Sequence, residues 1–158
     1  MRISFDLDGV ITNSEKWFFG MLSTLREVHS NQDTLDVIEI LYYSTRLVKH
    51  NPYMFMAIGD VGYIITARKP ISRPVTEDWL VNNGISLEVV YIDVVDDIDW
   101  SNYKAGSIVS AHRKAEAIKA RDIKIHLDNN PYIINELRKI IPDIVTILVG
   151  GEPCLSYM

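Results

Sequence analysis

Ile3-Ser4-Phe5-Asp6-Leu7-Asp8-Gly9-Val10-Ile11 decides how the rest of the chain reads. An apolar, β-prone run ends in two carboxylates spaced two apart, then a glycine. Residues two apart on a strand point to one side, but here the strand is ending. Asp6 is its last regular residue, and Asp8 lies in the turn that Gly9 permits. In open α/β sheets, ligands bind outside the carboxyl ends of the strands. Paired acids there suit a hard cation, or a division of labour between a nucleophile and a proton carrier. Asp-x-Asp-Gly also occurs in plain turns and in calcium loops. The calcium reading fails on spacing, because the acids do not continue at alternating positions through Asn13 and none closes the loop.

Downstream, helical patterns and apolar runs alternate. From Ser14 to about Lys49 the chain reads as helical. Asn13 or Ser14 caps a segment carrying Trp17, Phe18, Met21, Leu22, Leu25 and Val28 at helical spacing. Asp33 or Thr34 starts another, whose expected buried side holds Leu35, Val37, Ile38, Ile40, Leu41, Leu47 and Val48. Asn51-Pro52 breaks the pattern. Such apolar stripes read as core, although Trp17-Phe18-Phe19 can line a pocket if this segment lies over the carboxylates. Val61 to Ala67 reads as a second strand with Thr66 at its end, followed by a loop of Arg68, Lys69 and Pro70. A helix begins near Ser72 to Pro74 and stops at Asn82-Asn83-Gly84. Glu88 to Asp93 is a third strand, and the acidic stretch Asp93 to Asp99 reads as a solvated loop. A helix lies between Gly106 and Arg121, with Ile108, Ala111, Ala115 and Ile118 on one side. Ile123 to Asp128 is a fourth strand, again ending in an acid. Asn129-Asn130-Pro131 then caps a helix through Leu137 and Ile140. Ile144 to Val149 is a fifth strand, and Gly150-Gly151 leads into a short tail.

At 158 residues the expectation is one domain, large enough for a real core. Apolar content of 47% and charged content of 23% are those of a soluble globular protein. A net charge of −5 gives no footprint for long duplex nucleic acid. A single cysteine, Cys154, leaves no internal disulfide and no cysteine zinc cluster, and fits a reducing compartment. No charged leader precedes Ile3, and no apolar run approaches membrane-spanning length. The expectation is a soluble cytoplasmic protein with no membrane partner.

Strands alternating with helices predict a parallel sheet with both faces covered, an α/β fold of Rossmann-like, three-layer α/β/α type. Its carboxyl edge would then gather Asp6 and Asp8, Thr66 and Asp128. That convergence points to phosphate-ester chemistry. A phosphate monoester would be repelled by Asp6 unless a cation stood between them. Mg²⁺ suits one or two carboxylates plus substrate and water; Asp6 and Asp128 would hold it, with the backbone carbonyl of Asp8. Asp6 would attack phosphorus to form an aspartyl-phosphate. Asp8 would protonate the leaving oxygen and then deprotonate the hydrolytic water. The Thr66 hydroxyl and neighbouring N–H groups would bind phosphoryl oxygens, and a lysine would balance charge in the transition state.

Phe5-Asp6-Leu7-Asp8-Gly9-Val10, Ile64-Ile65-Thr66-Ala67-Arg68, Lys114 and His126-Leu127-Asp128-Asn129-Asn130-Pro131 occur in the order of four motifs. In that order the chain resembles the haloacid dehalogenase-like phosphohydrolases over essentially its whole length. Ile-Thr-Ala-Arg and the Thr76-Glu77-Asp78-Trp79-Leu80 helix look like the subgroup containing 5′-nucleotidase-like and deoxyribonucleotidase-like proteins. The resemblance implies Mg²⁺ bound by Asp6, Asp8 and Asp128, and an aspartyl-phosphate on Asp6. It implies substrate contacts from Thr66, Ala67, Arg68 and Lys114. It also implies a small helical cap inserted after the first strand, filling residues 14–58, with the core formed by 1–13 and 59–158 of a single domain.

Two points depart from that pattern or stay open. The family usually has two acids where this chain has Asp128-Asn129; the carboxamide keeps an acceptor oxygen and loses a charge, which weakens metal binding. The lysine is Lys114, with Lys104 as competitor. Arg68 either contacts a second substrate group or pairs with an acidic neighbour, and His126, inside a strand, reads as structural. The expected function is an Mg²⁺-dependent phosphomonoesterase of small molecules, nucleotides first. The alternatives are a polynucleotide end phosphatase, against which the acidic charge and a cap both count, and a catalytically silent relative, which Asn129 favours.

Overall fold

The computed structural model describes residues 1–150; Cys154 and the rest of the tail, 151–158, lie outside the described residues. Strands β1 (Arg2–Phe5), β2 (Val61–Thr66), β3 (Glu88–Tyr91), β4 (Ile125–Asp128) and β5 (Val145–Leu148) form an all-parallel sheet in the order β3-β2-β1-β4-β5. The chain moves outward from β1 through β2 to β3, then returns to the other side of β1 for β4. The reversal falls between β1 and β4, and a crevice opens there at the carboxyl ends. Phe5 pairs with Leu127 in register, so Asp6 and Asp128 follow side by side.

Among the described residues α3 (Arg73–Asn82), α4 (Tyr103–Ala120) and α5 (Pro131–Ile140) flank the sheet, while α1 (Lys16–Val28) and α2 (Gln32–Ser44) pack on each other in a cluster of their own. Strand alternation divides the core in two. Tyr63 and Ile65 of β2 join Ala111, Ala115 and Ile118 of α4 and Ile133 and Leu137 of α5 on one face. Ile64 joins Ile3, Phe5 and Leu127 with Trp79 and Leu80 of α3 on the other. The result is the expected Rossmann-like three-layer arrangement. No helix among the described residues is long and apolar enough to cross a membrane.

Residues between β1 and β2 form the α1–α2 hairpin, and its details differ from the sequence expectation. Glu15, not Asn13 or Ser14, is the N-cap of α1 and gives no side-chain cap, while the Ser14 hydroxyl donates to Asp8 instead of capping the helix. Asn31 caps α2, its Oδ1 accepting from Thr34 N–H. The hairpin core is Phe18, Leu22 and Leu35, with Phe18 stacked on Tyr42 at 3.6 Å between ring centroids. Trp17, Met21, Val28, Val37 and Leu41 face outward and are exposed, whereas Glu39 and Tyr43 of α2 are buried. The helix selects the face whose polar groups find partners, and apolar residues surround it on too many sides for spacing to choose.

Candidate active site

Asp6 leaves β1 with its N–H donating to Leu127 O at 2.8 Å, which fixes it beside β4. Gly9 adopts φ +83°, and a Cβ there would lie 2.0 Å from Asn129 Nδ2, so the turn after β1 can press against the loop after β4 only through glycine. From the opposite side Lys114, on α4 and 1% exposed, reaches between the carboxylates: Nζ donates to Asp6 Oδ1 at 2.9 Å and to Asp128 Oδ2 at 2.6 Å. Of the two lysines considered, Lys114 is the one that reaches these carboxylates; Lys104 lies instead against the Tyr132 ring, 5.9 Å from its centroid.

Asp128 is held on both oxygens. Oδ1 accepts from Asn130 N–H at 2.9 Å, and Oδ2 accepts from Lys114 and, at 3.1 Å, from His126. Burial pushes His126 down, so the ring is neutral. Nε2 donates to Asp128 while Nδ1 accepts from Ser4 Oγ at 2.8 Å. That is the structural role expected for His126. Burial would raise Asp128, but the Lys114 charge and the His126 hydrogen bond hold it well below the usual carboxylate range. Asp6 goes the other way: burial, with the Asp128 and Asp8 charges, pushes it up to about 7 against the pull of Lys114. Lys114 is raised, since the two carboxylates outweigh its own burial.

Asp8 sits in a separate grip. Arg68 donates Nε to Oδ2 at 3.0 Å and Nη2 to Oδ1 at 2.7 Å, and Ser14 Oγ donates to Oδ1 at 2.8 Å. Burial would raise Asp8, yet Arg68 and the Ser14 and Thr12 hydroxyls hold it low. Arg68 also donates Nη1 to Thr76 Oγ1 at 2.9 Å. Thr66 is buried directly below, its hydroxyl accepting from Arg68 N–H at 3.2 Å.

A cavity of about 290 Å³ opens over these groups. Asp6, Asp8, Ala67, Arg68, Lys114, Asp128 and Asn129 line it; Thr66, buried, is not among the lining residues. Of the Trp17-Phe18-Phe19 run expected to be able to line a pocket, Phe19 does so; sequence reading missed Lys16 and Tyr43 from the hairpin, Trp100 before α4 and Tyr103 at its first position. Trp100 carried no signal, because loop position hides what a side chain faces, and Tyr103 falls at the first position of α4, before its helical pattern begins. Ser110, one turn before Lys114, also lines the cavity, and its hydroxyl is buried without a partner among the described residues. Asp93, expected in a solvated loop, is buried, taking Asp97 N–H at 3.0 Å and the Arg113 guanidinium at 3.4 Å on one oxygen.

The donor set fits a hard divalent cation. Three carboxylates, Asp6, Asp8 and Asp128, face two side-chain cations, Lys114 and Arg68, leaving one negative charge over. Asp6 Oδ2 accepts no hydrogen bond among the described residues. Among the described residues no group of three or more His, Cys, Asp or Glu is disposed to hold a metal by itself. Mg²⁺ does not need one, because it takes one or two carboxylates and completes its shell with substrate and water.

No protein-family model and no curated protein sequence matches the chain. Among solved structures it is similar to a chain of the Pnkp1/Rnl/Hen1 RNA repair complex, at 14% identity and a TM-score of 0.59, over 96% of this chain and 43% of that one. A chain of a second Pnkp1/Rnl/Hen1 complex structure matches at 15% and 0.58, over 96% and 46%. The HAD domain of effector protein Lem4 from Legionella pneumophila matches at 11% over 98% and 87%, with a TM-score of 0.47. This chain thus spans less than half the length of the repair-complex chains. At these identities the first two likenesses show a shared fold, and the third is too distant to add to it.

Proposed function

We propose that the protein is an Mg²⁺-dependent phosphomonoesterase of the haloacid dehalogenase-like type, working through an aspartyl-phosphate on Asp6. One observation carries the reading: Lys114 joins Asp6 to Asp128 across the β1/β4 crevice, while Asp8 stands beside them in a grip of its own. The two carboxylates of one motif thereby sit in opposed electrostatic settings. In the metal-free protein Asp6 is pushed up and Asp8 is held low, the reverse of what a nucleophile and a proton donor need. The reading therefore requires the cation to bring Asp6 down and the substrate phosphate to bring Asp8 up.

Asp6 Oδ2 and Asp128 would hold the metal with the Asp8 carbonyl, and the bound ion would neutralise phosphate charge so that an anionic nucleophile can approach. Asp6 attacks phosphorus. Lys114 pulls that carboxylate toward its ionised form against burial, and would stabilise charge on the phosphoryl oxygens. Asp8 gives its proton to the leaving oxygen and recovers one from the water that opens the aspartyl-phosphate. The hairpin is the cap of this reading, covering the cavity, and residues 14–58 form an insert within a single domain. Phe19, Tyr43, Trp100 and Tyr103 offer flat apolar walls to the leaving group, which favours a nucleotide over a sugar phosphate.

A second reading, removal of a terminal phosphate from a polynucleotide, draws support from the fold shared with a chain of an RNA repair complex. The net charge of −5 stands against it. Phosphate release with Mg²⁺ over nucleotides, sugar phosphates and phosphorylated oligonucleotides separates the two. Release by the intact protein, falling roughly a thousandfold or more in Asp6→Asn, is expected. Equal background rates from both proteins would sink the phosphatase reading.

A further inference from the structure

Arg68 is held by more than its hydrogen bonds. Its guanidinium carbon lies 3.7 Å from the centroid of the Tyr43 ring, so the cation is stacked on that face. Hydrogen bonds to Asp8 and Thr76 fix the guanidinium within its own plane. They leave the tilt and height of that plane free, and a ring face supplies both. Arg68 and Tyr43 are 1% and 2% exposed, which keeps water off the pair.

The ring is itself anchored. Tyr43 O–H donates to Glu39 Oε1 at 3.0 Å, and Glu39 Oε2 accepts from Arg26 Nη2 at 2.8 Å, which ties α2 to α1. A helix that only closed over the core would put an aliphatic residue at 43 and no carboxylate at 39. Burying Glu39 carries a desolvation cost, and its hydrogen bonds position the phenol that carries Arg68.

We propose that Tyr43 is a positioning residue for proton transfer by Asp8: its ring is the platform from which Arg68 grips that carboxylate. The proposal rests on the aspartyl-phosphate reading above. In the first step an Asp6 oxygen bonds to phosphorus and the ester P–O bond breaks. The electron pair goes to the leaving oxygen, which takes the proton of Asp8. Arg68 fixes the direction in which the Asp8 carboxyl faces the leaving oxygen, and the Tyr43 platform fixes Arg68, so the platform acts by orienting the carboxyl rather than by setting its charge. In the second step Asp8 takes a proton from water, the water oxygen bonds to phosphorus, and the bond from phosphorus to Asp6 breaks to release inorganic phosphate. Asp8 Oδ1 already accepts from Arg68, Ser14 and Thr12, while Oδ2 accepts from Arg68 alone, so Oδ2 is the oxygen that carries the proton. Because Tyr43 belongs to the hairpin, the hairpin must be seated for this grip to form.

Leaving-group dependence tests this, since a poor leaving group needs the proton and a good one does not. Wild type, Tyr43→Phe and Tyr43→Leu are compared on a nucleoside 5′-monophosphate and on 4-nitrophenyl phosphate. Tyr43→Leu is expected to lower kcat about tenfold to a hundredfold on the nucleotide and less than about threefold on the nitrophenyl ester, with KM little changed. Tyr43→Phe, which keeps the ring, should restore most of the loss. In an Arg68→Ala background Tyr43→Leu should cost nothing further, because both act through one contact. Equal losses on the two esters, a change confined to KM, or additive losses in the double variant would each overturn the proposal. Should Tyr43→Leu fail to fold, Glu39→Gln must show the same bias toward the nucleotide in smaller measure, and an unbiased Glu39→Gln overturns the proposal. Wild type that releases no phosphate from either ester removes the phosphatase reading itself, and this proposal with it.

Discussion

The floor and the roof of the cavity are built by different means. The floor is delivered by the sheet: Asp6 and Asp128 come off neighbouring strands in register, and Lys114 rises from the helix packed beneath them. The roof is a helical hairpin with three fully buried apolar residues of its own, Phe18, Leu22 and Leu35. It is joined to the rest by particular polar contacts, among them Trp79 Nε1 to Arg46 O at 2.7 Å, Asn13 Oδ1 to Leu47 N–H at 2.9 Å, and Arg68 on Tyr43. Apolar burial has no direction and accumulates with area, so the floor is over-determined. The roof depends on individual groups, and losing one of them changes its position more readily than its fold.

The largest effect expected from breaking the floor comes from Lys114→Met. It leaves Asp6 and Asp128 facing each other with no cation between them, and removing one partner of a buried ionic set costs about 3–5 kcal/mol. Urea denaturation of the metal-free protein should show that loss, together with the disappearance of phosphate release. A loss below about 1 kcal/mol would mean that the ammonium does not hold the two strand ends together.

A smaller effect separates Asp6 from the rest of the floor. Its folded pKa is pushed up to about 7 from an ordinary 3.8, chiefly by burial and by the neighbouring carboxylates. The folded state therefore binds a proton that the unfolded state has already lost, and stability from this group falls as pH rises through that window. Asp6→Asn removes the penalty. In metal-free buffer the variant should be the more stable protein, by a margin that widens from about pH 4 to about pH 7 and is flat above. His126 contributes equally to both proteins and drops out of the difference. Thermal melts across that range check it. A constant margin would show that Asp6 is not the group that titrates, and Mg²⁺ should narrow the margin by restoring the missing positive charge.

The same contrast explains what could be read from the sequence. The floor was legible because each feature has a local chemical signature: strand-ending acids at Asp6 and Asp128, the glycine turn at Gly9, the proline first turns of α3 and α5. Strand pairing then brings the acids together once the sheet is known to be parallel. Lys114 was legible only through its place in a motif order, since nothing in α4 marks one lysine over another. The roof was legible as two helices, with Phe18, Leu22 and Leu35 on their apolar sides, but not in how α2 is turned. Leu35, Val37, Ile38, Ile40 and Leu41 surround α2 on most sides, so periodicity gives no preferred face. What turns the helix is a pair of polar side chains, Glu39 and Tyr43, whose partners Arg26 and Arg68 lie on other elements. Asp93 shows the same thing in the loop after β3, where an acid run suggests solvent and Arg113, from α4, meets a buried carboxylate.

The smallest predicted effect is also the sharpest test of how the roof is turned. Leu41 was expected among the buried residues of α2, and it is 58% exposed, on a side of the helix away from Glu39 and Tyr43. If the helix is turned as the structure has it, Leu41→Gln removes little buried area and keeps a good helix former, so stability should change by no more than about 0.5 kcal/mol. Were Leu41 on the buried side that spacing suggests, the same change would place an amide in apolar surroundings and cost about 1–3 kcal/mol. Denaturation midpoints of Leu41→Gln and Leu35→Ala compared with wild type decide between them, because Leu35→Ala opens a cavity in the hairpin core under either orientation. A near-wild-type Leu41→Gln beside a destabilised Leu35→Ala therefore fixes the face of α2, and with it the position of Tyr43 over Arg68.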